Sequence, residues 1–138
     1  MIVDSSIILN WLLKGGKFEE ECLKLRKAFE NGSVRLRVPE FVVYDVCIKL
    51  AESDIPIDTA SKLVHLAYEY MSYFAVKLEG DMLDEAVRIC RKYGVDFNVA
   101  SCVVLSKRMG EIYVTADDEV YDILSKAGVK VSHVKDLF

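Results

Sequence analysis

The chain has 138 residues, 52% of them apolar and 29% charged, with a formal net charge of −4. That is the size of a single domain, residues 1–138, with room for one core, and the balance excludes a disordered polyelectrolyte. No apolar run reaches the roughly 18 residues of a membrane span, and the opening Met1-Ile2-Val3-Asp4 lacks the basic and apolar regions of a secretion signal, so the expected location is the cytoplasm.

Met1 to Val3 is a short apolar run ending in Asp4-Ser5-Ser6, three good helix caps. Ile7 to Leu13 follows as a short apolar helix stopped by Gly15-Gly16, and a second helix covers about Phe18 to Phe29. Leu36 to Val38 reads as a strand, with Pro39 suited to the first turn of a helix that reaches about Glu52 and is apolar nearly all round. After Ile55-Pro56, Asp58 or Thr59 caps a helix to about Phe74, and Ala75 to Leu78 reads as a strand. Helices over 80–93 and 97–109 are each closed by a glycine, Gly94 and Gly110. Ile112 to Thr115 is a strand leading through Ala116-Asp117-Asp118 into a helix to Ala127, and Val129 to Val134 is the last strand. Strands alternating with helices predict an α/β fold, a parallel sheet covered on both faces.

Cys22, Cys47, Cys90 and Cys102 are widely spaced and read as buried free thiols, and His65 and His133 stand alone as packing or surface residues. The chemistry points instead to carboxylates. Asp4 and Asp117 each follow a strand and precede a helix, the place where open α/β sheets bind ligands. Each also reads as a helix N-cap. Asp45 interrupts an apolar helix, where it either serves a site or pairs with Lys49 one turn on. Carboxylates gathered in one crevice need a cation or a proton, and oxygen-only ligands favour Mg²⁺ or Mn²⁺, ions that polarise phosphates and activate water.

Ile2-Val3-Asp4-Ser5-Ser6, the segment Val38-Pro39-Glu40 through Tyr44-Asp45-Val46, and Val114-Thr115-Ala116-Asp117 resemble the motifs of PIN-domain proteins, particularly the VapC toxin ribonucleases. The likeness extends in order and spacing over essentially the whole chain. It implies a three-layer α/β/α fold with a central sheet of four to five strands in the order 3-2-1-4-5. It also implies an endoribonuclease dependent on Mg²⁺ or Mn²⁺, with RNA as substrate, an antitoxin as partner and a homodimer as assembly. Matched position by position, Asp4, Asp45 and Asp117 fall on acids of the family, with Ser6 and Thr115 as supporting hydroxyls and Asp118 as a water-mediated ligand or a helix-start charge.

The family's acid at the start of the sixth helix is matched by Val99. Asp96, three residues earlier on nearly the same helical face, either supplies that ligand or caps the helix. Asp45 is also one methylene shorter than the family's usual Glu. These departures leave a second reading, a degenerate domain that binds RNA or protein without cutting. A phosphatase with a strand-end Asp nucleophile is disfavoured, because the position two residues after Asp4 is Ser6. Further candidates for RNA contact are the turn Lys14-Gly15-Gly16-Lys17, the pair Arg35 and Arg37, and the aromatic residues Tyr68, Tyr70, Tyr73 and Phe74; the last four read first as core or dimer contacts.

Overall fold

The computed structural model describes residues 1–138. In chain order it contains β1 (Ile2–Val3), α1 (Ser5–Leu12), α2 (Glu19–Glu30), β2 (Val38–Pro39), α3 (Glu40–Ala51), α4 (Ile57–Ser72), β3 (Ala75–Val76), α5 (Gly80–Tyr93), α6 (Phe97–Met109), β4 (Tyr113–Thr115), α7 (Asp118–Lys126) and β5 (Val131–His133), with a closing 3₁₀ turn at Val134–Asp136. All strand pairs are parallel. The residues of β1, β2 and β4 are all buried, the signature of strands covered on both faces by helices.

The expected order 3-2-1-4-5 is present in space, but not as one continuous ladder. β1, β4 and β5 form a three-stranded sheet, and β2 and β3 a separate pair. The halves meet through one isolated bridge between Ile2 and Arg37, where the Arg37 amide donates to Met1 O at 2.9 Å and the Val3 amide to Arg37 O at 3.0 Å. The strands are also shorter than the apolar runs suggest. Pro39 closes β2 because it has no amide proton to offer the ladder and its extended backbone opens α3. The last strand begins at Val131 rather than Val129, because the Val129 amide is turned back onto Leu124 O at the end of α7.

Helix α6 is the central helix. Its residues from Asn98 to Ser106 are buried without interruption, as an apolar helix requires. Gly94 and Gly110 end α5 and α6 in the left-handed conformation, at φ 67° and 65°. The register places Ile2 beside Tyr113 and Val3 beside Val114, so the next residues, Asp4 and Thr115, emerge side by side at the carboxyl ends of β1 and β4. No helix is long and apolar enough to cross a membrane.

Candidate functional site

Asp4 is the best-fixed acid. Residues two apart in a strand share a face, so Tyr113 and Thr115 both turn toward the Ile2–Asp4 face of β1. The Tyr113 hydroxyl donates to Asp4 Oδ2 at 2.6 Å and the Thr115 hydroxyl to the same atom at 2.7 Å. The Ser6 amide and hydroxyl donate to Oδ1, the amide as the cap of α1. Asp4 is 1% exposed, and burial pushes its carboxyl above the ordinary 3.8, against the opposing pull of the Ser6, Tyr113 and Thr115 hydrogen bonds. The same Ser6 hydroxyl accepts the Ala116 amide at 2.9 Å, and the Thr115 hydroxyl accepts the Asp117 amide at 3.1 Å. One hydroxyl lattice therefore ties the start of α1 to the start of α7.

Asp117 and Asp96 are both N-caps, of α7 and α6. Their side chains accept the Val120 amide and the Val99 amide, each at 3.0 Å, and both residues are exposed. With Asp4 they line a cleft of about 300 Å³ whose walls also include Ser5, Ser6, Asn10, Lys49, Asn98 and Val99. Val99 is 2% exposed and gives the cleft an apolar wall beside Asn98.

Asp45 does not line this cleft. It is buried behind Ser5 and Lys49, whose hydroxyl and ammonium both bond its Oδ2, at 2.6 and 2.7 Å. It makes the ion pair with Lys49 that the sequence offered as one of its two roles. Asp118 is engaged elsewhere too. Lys17 binds it at 2.8 Å and holds its carboxyl below the ordinary range, while His133 Nε2 lies 3.0 Å away.

Several residues in or behind the cleft escaped the sequence reading. Asn98 is 4% exposed, and its Oδ1 accepts the Ser5 amide at 3.3 Å. A polar residue opening an otherwise apolar helix was the available signal. Tyr113 read only as a strand residue, and nothing local marks its hydroxyl as the partner of Asp4. Lys49 read only as a partner for Asp45, whereas it also forms part of the cleft wall.

None of the other basic and aromatic candidates lines it. Arg37 pairs with Glu111 at 3.3 Å, just ahead of β4 and so at the opposite end of the sheet from Asp4. Lys17 is committed to Asp118. Tyr70 and Phe74 pack edge-on against Phe29 and each other, as core residues do, while Tyr68 and Tyr73 are exposed.

No three acids are poised to chelate an ion, so the cleft does not suit a closed cage. Mg²⁺ is commonly held by one or two carboxylates plus waters and substrate phosphate. The all-oxygen set of Asp4, Asp117 and Asp96, with a buried carboxylate that no cation touches, fits an ion held in that sparse way.

The family model for the PIN domain matches residues 1–125. No curated protein matches the sequence. Among solved structures, PAE2754 from Pyrobaculum aerophilum is 21% identical, with 99% of this chain and 91% of that one covered and a TM-score of 0.63. FitAcB from Neisseria gonorrhoeae is 11% identical, with 99% of both chains covered and a TM-score of 0.70. A toxin–antitoxin complex from Klebsiella pneumoniae contains a chain 13% identical, with 96% of both covered and a TM-score of 0.64. At these identities the likeness shows the fold alone.

Proposed function

Because the chain belongs to the PIN domain family, we propose that it is a divalent-metal-dependent endoribonuclease of the VapC toxin type, a single cytoplasmic domain that hydrolyses RNA phosphodiester bonds. The observation that carries this reading is the opening of Asp4 and Asp117 onto one cleft at the ends of adjacent strands. Asp4 and Asp117 would hold Mg²⁺ or Mn²⁺, with Asp96 at the cleft wall. A divalent ion there would polarise the scissile phosphate and make water a usable nucleophile.

The chain's own residues prepare that chemistry. Tyr113, Thr115 and Ser6 hold Asp4 in one orientation, so the carboxylate needs little reorganisation when charge arrives. Asn98 fixes the Ser5 amide and with it the entry into α1. Asp96 and Asp117, as N-caps, face the positive ends of two helices, which steadies their negative charge.

Two surfaces support the proposed partners. An apolar groove between α1 and α4, lined by Ile8, Trp11, Leu12, Leu66, Ala67, Tyr70 and Met71, suits a helix of an antitoxin, the kind of partner present in the toxin–antitoxin complex from Klebsiella pneumoniae. Exposed Tyr44 and Ile48 on α3 and Tyr68 on α4 suit a homodimer contact. Val99 favours a second reading, in which the cleft binds RNA without cutting it.

The test is Mn²⁺-dependent cleavage of a mixed-sequence RNA, followed alongside the melting temperature. Cleavage that is lost in Asp4→Asn, together with a metal-dependent rise in Tm, supports the nuclease. RNA binding with neither cleavage nor a Tm rise supports the second reading.

A further inference from the structure

Lys49 is the one cation among the residues that line the cleft, which it shares with Asp4, Asp96 and Asp117. It is not a free surface lysine. Its ammonium sits 2.7 Å from Asp45 Oδ2, an atom also held by the Ser5 hydroxyl, and the Asp45 side chain is only 11% exposed against 41% for Lys49. A buried carboxylate thus anchors the ammonium from behind while its front stays open. An ammonium has three protons to donate, and Lys49 makes a single hydrogen bond, to Asp45.

We propose that Lys49 is a phosphate-positioning residue, which holds one phosphodiester of single-stranded RNA against the cleft with the two donors that Asp45 leaves free. The proposal rests on the RNA-directed reading above and extends it. Before an ion binds, three aspartates at the cleft repel a phosphate, and no arginine or other lysine lines the cleft to draw one in. Asp45 accordingly has a different part from Asp4 and Asp117. It serves as the fixed mount of a cation that the chain supplies itself. Because α3 carries both residues one turn apart, the mount and the ammonium move as a unit.

The experiment is binding of a fluorescent mixed-sequence single-stranded RNA, followed by anisotropy over a range of salt, first in EDTA and again with Ca²⁺. Wild type is compared with Lys49→Met, Lys49→Arg and the double variant Asp45→Asn/Lys49→Met, each checked for folding by its melting curve. Lys49→Met is expected to bind about tenfold more weakly, as befits one charge-assisted contact. Its plot of log K against log salt should be shallower by about 0.7, the slope of one phosphate on a single strand. Lys49→Arg should recover most of the loss.

The double variant is the decisive arm, since it removes both charges, preserves the net charge and leaves no bare buried carboxylate. Binding as weak as that of Lys49→Met supports the proposal. Recovery of wild-type affinity would mean that Lys49 only neutralises Asp45, and overturns it. Unchanged affinity and slope in Lys49→Met overturn it equally. A wild type that binds no RNA under either condition defeats the RNA reading itself, and this proposal with it.

Discussion

The Asp4 carboxylate loses more by burial than its hydroxyl and amide partners restore, which is why its pKa lies above 3.8. The folded protein then binds this proton more tightly than the unfolded chain does, so stability declines as pH rises from 3.8 through the folded value and stays reduced above it. Asparagine has nearly the same shape and no charge, and the Tyr113 and Thr115 hydroxyls can turn from donor to acceptor. Asp4→Asn in EDTA should therefore melt about 2–5 °C higher than wild type at pH 7, with the difference vanishing below pH 3.8. Equal melting temperatures at pH 7 would show that Asp4 is not strained by its burial. Val99→Asp is the complementary change. It places a carboxylate where the side chain is 2% exposed, so it should lower Tm in EDTA and show a larger Mn²⁺-dependent recovery than wild type. A Tm that falls and does not respond to Mn²⁺ would mean that the added oxygen cannot reach the ion.

At the level of elements, the helix boundaries were readable because local chemistry sets them. Asp4, Asp96 and Asp117 cap α1, α6 and α7 through their own side chains, and Gly94 and Gly110 end α5 and α6. Strand lengths were not readable, since a parallel strand lasts only as long as its neighbour keeps pairing. The strand expected from Leu36 to Val38 contributes only Val38 to β2 proper, with Arg37 spent on the bridge to Ile2. The carboxylates of the site were legible, but their partners were not. Asn98 meets Ser5 across 93 residues and Tyr113 meets Asp4 across 109, and no local pattern encodes such meetings. Asp45 and Lys49 are close in sequence, but the third member of their contact, the Ser5 hydroxyl, lies 40 residues away. The split sheet makes a further prediction. The β2–β3 pair rests on two residues a side and one bridge to β1, whereas β1 is paired with the central β4, itself paired with β5. Amide exchange at Val38 should be faster than at Ile2, whose amide donates to Ile112 O on the β4 side, and at Val114, and uniform protection across all five strands would show that the bridge couples the halves fully.

Across the whole molecule, the acidic cleft and the apolar groove draw on opposite faces of one short helix. Asp4, Ser5 and Ser6 at the start of α1 serve the cleft, while Ile8, Trp11 and Leu12 line the groove against α4. Two contacts hold Trp11 there. Its indole N–H donates to Cys22 O at 2.7 Å, and Tyr70 lies edge-on with the ring centroids 5.7 Å apart. It is the only tryptophan in the chain. The protein therefore has a built-in optical reporter that watches one of its two surfaces. A helix seated in the groove should shift Trp11 emission to shorter wavelength, while RNA or Mn²⁺ entering the cleft should leave the peak wavelength in place. If cleft ligands do move it, then α1 is transmitting occupancy from one surface to the other, and a partner bound at the groove could tune the acids without touching them.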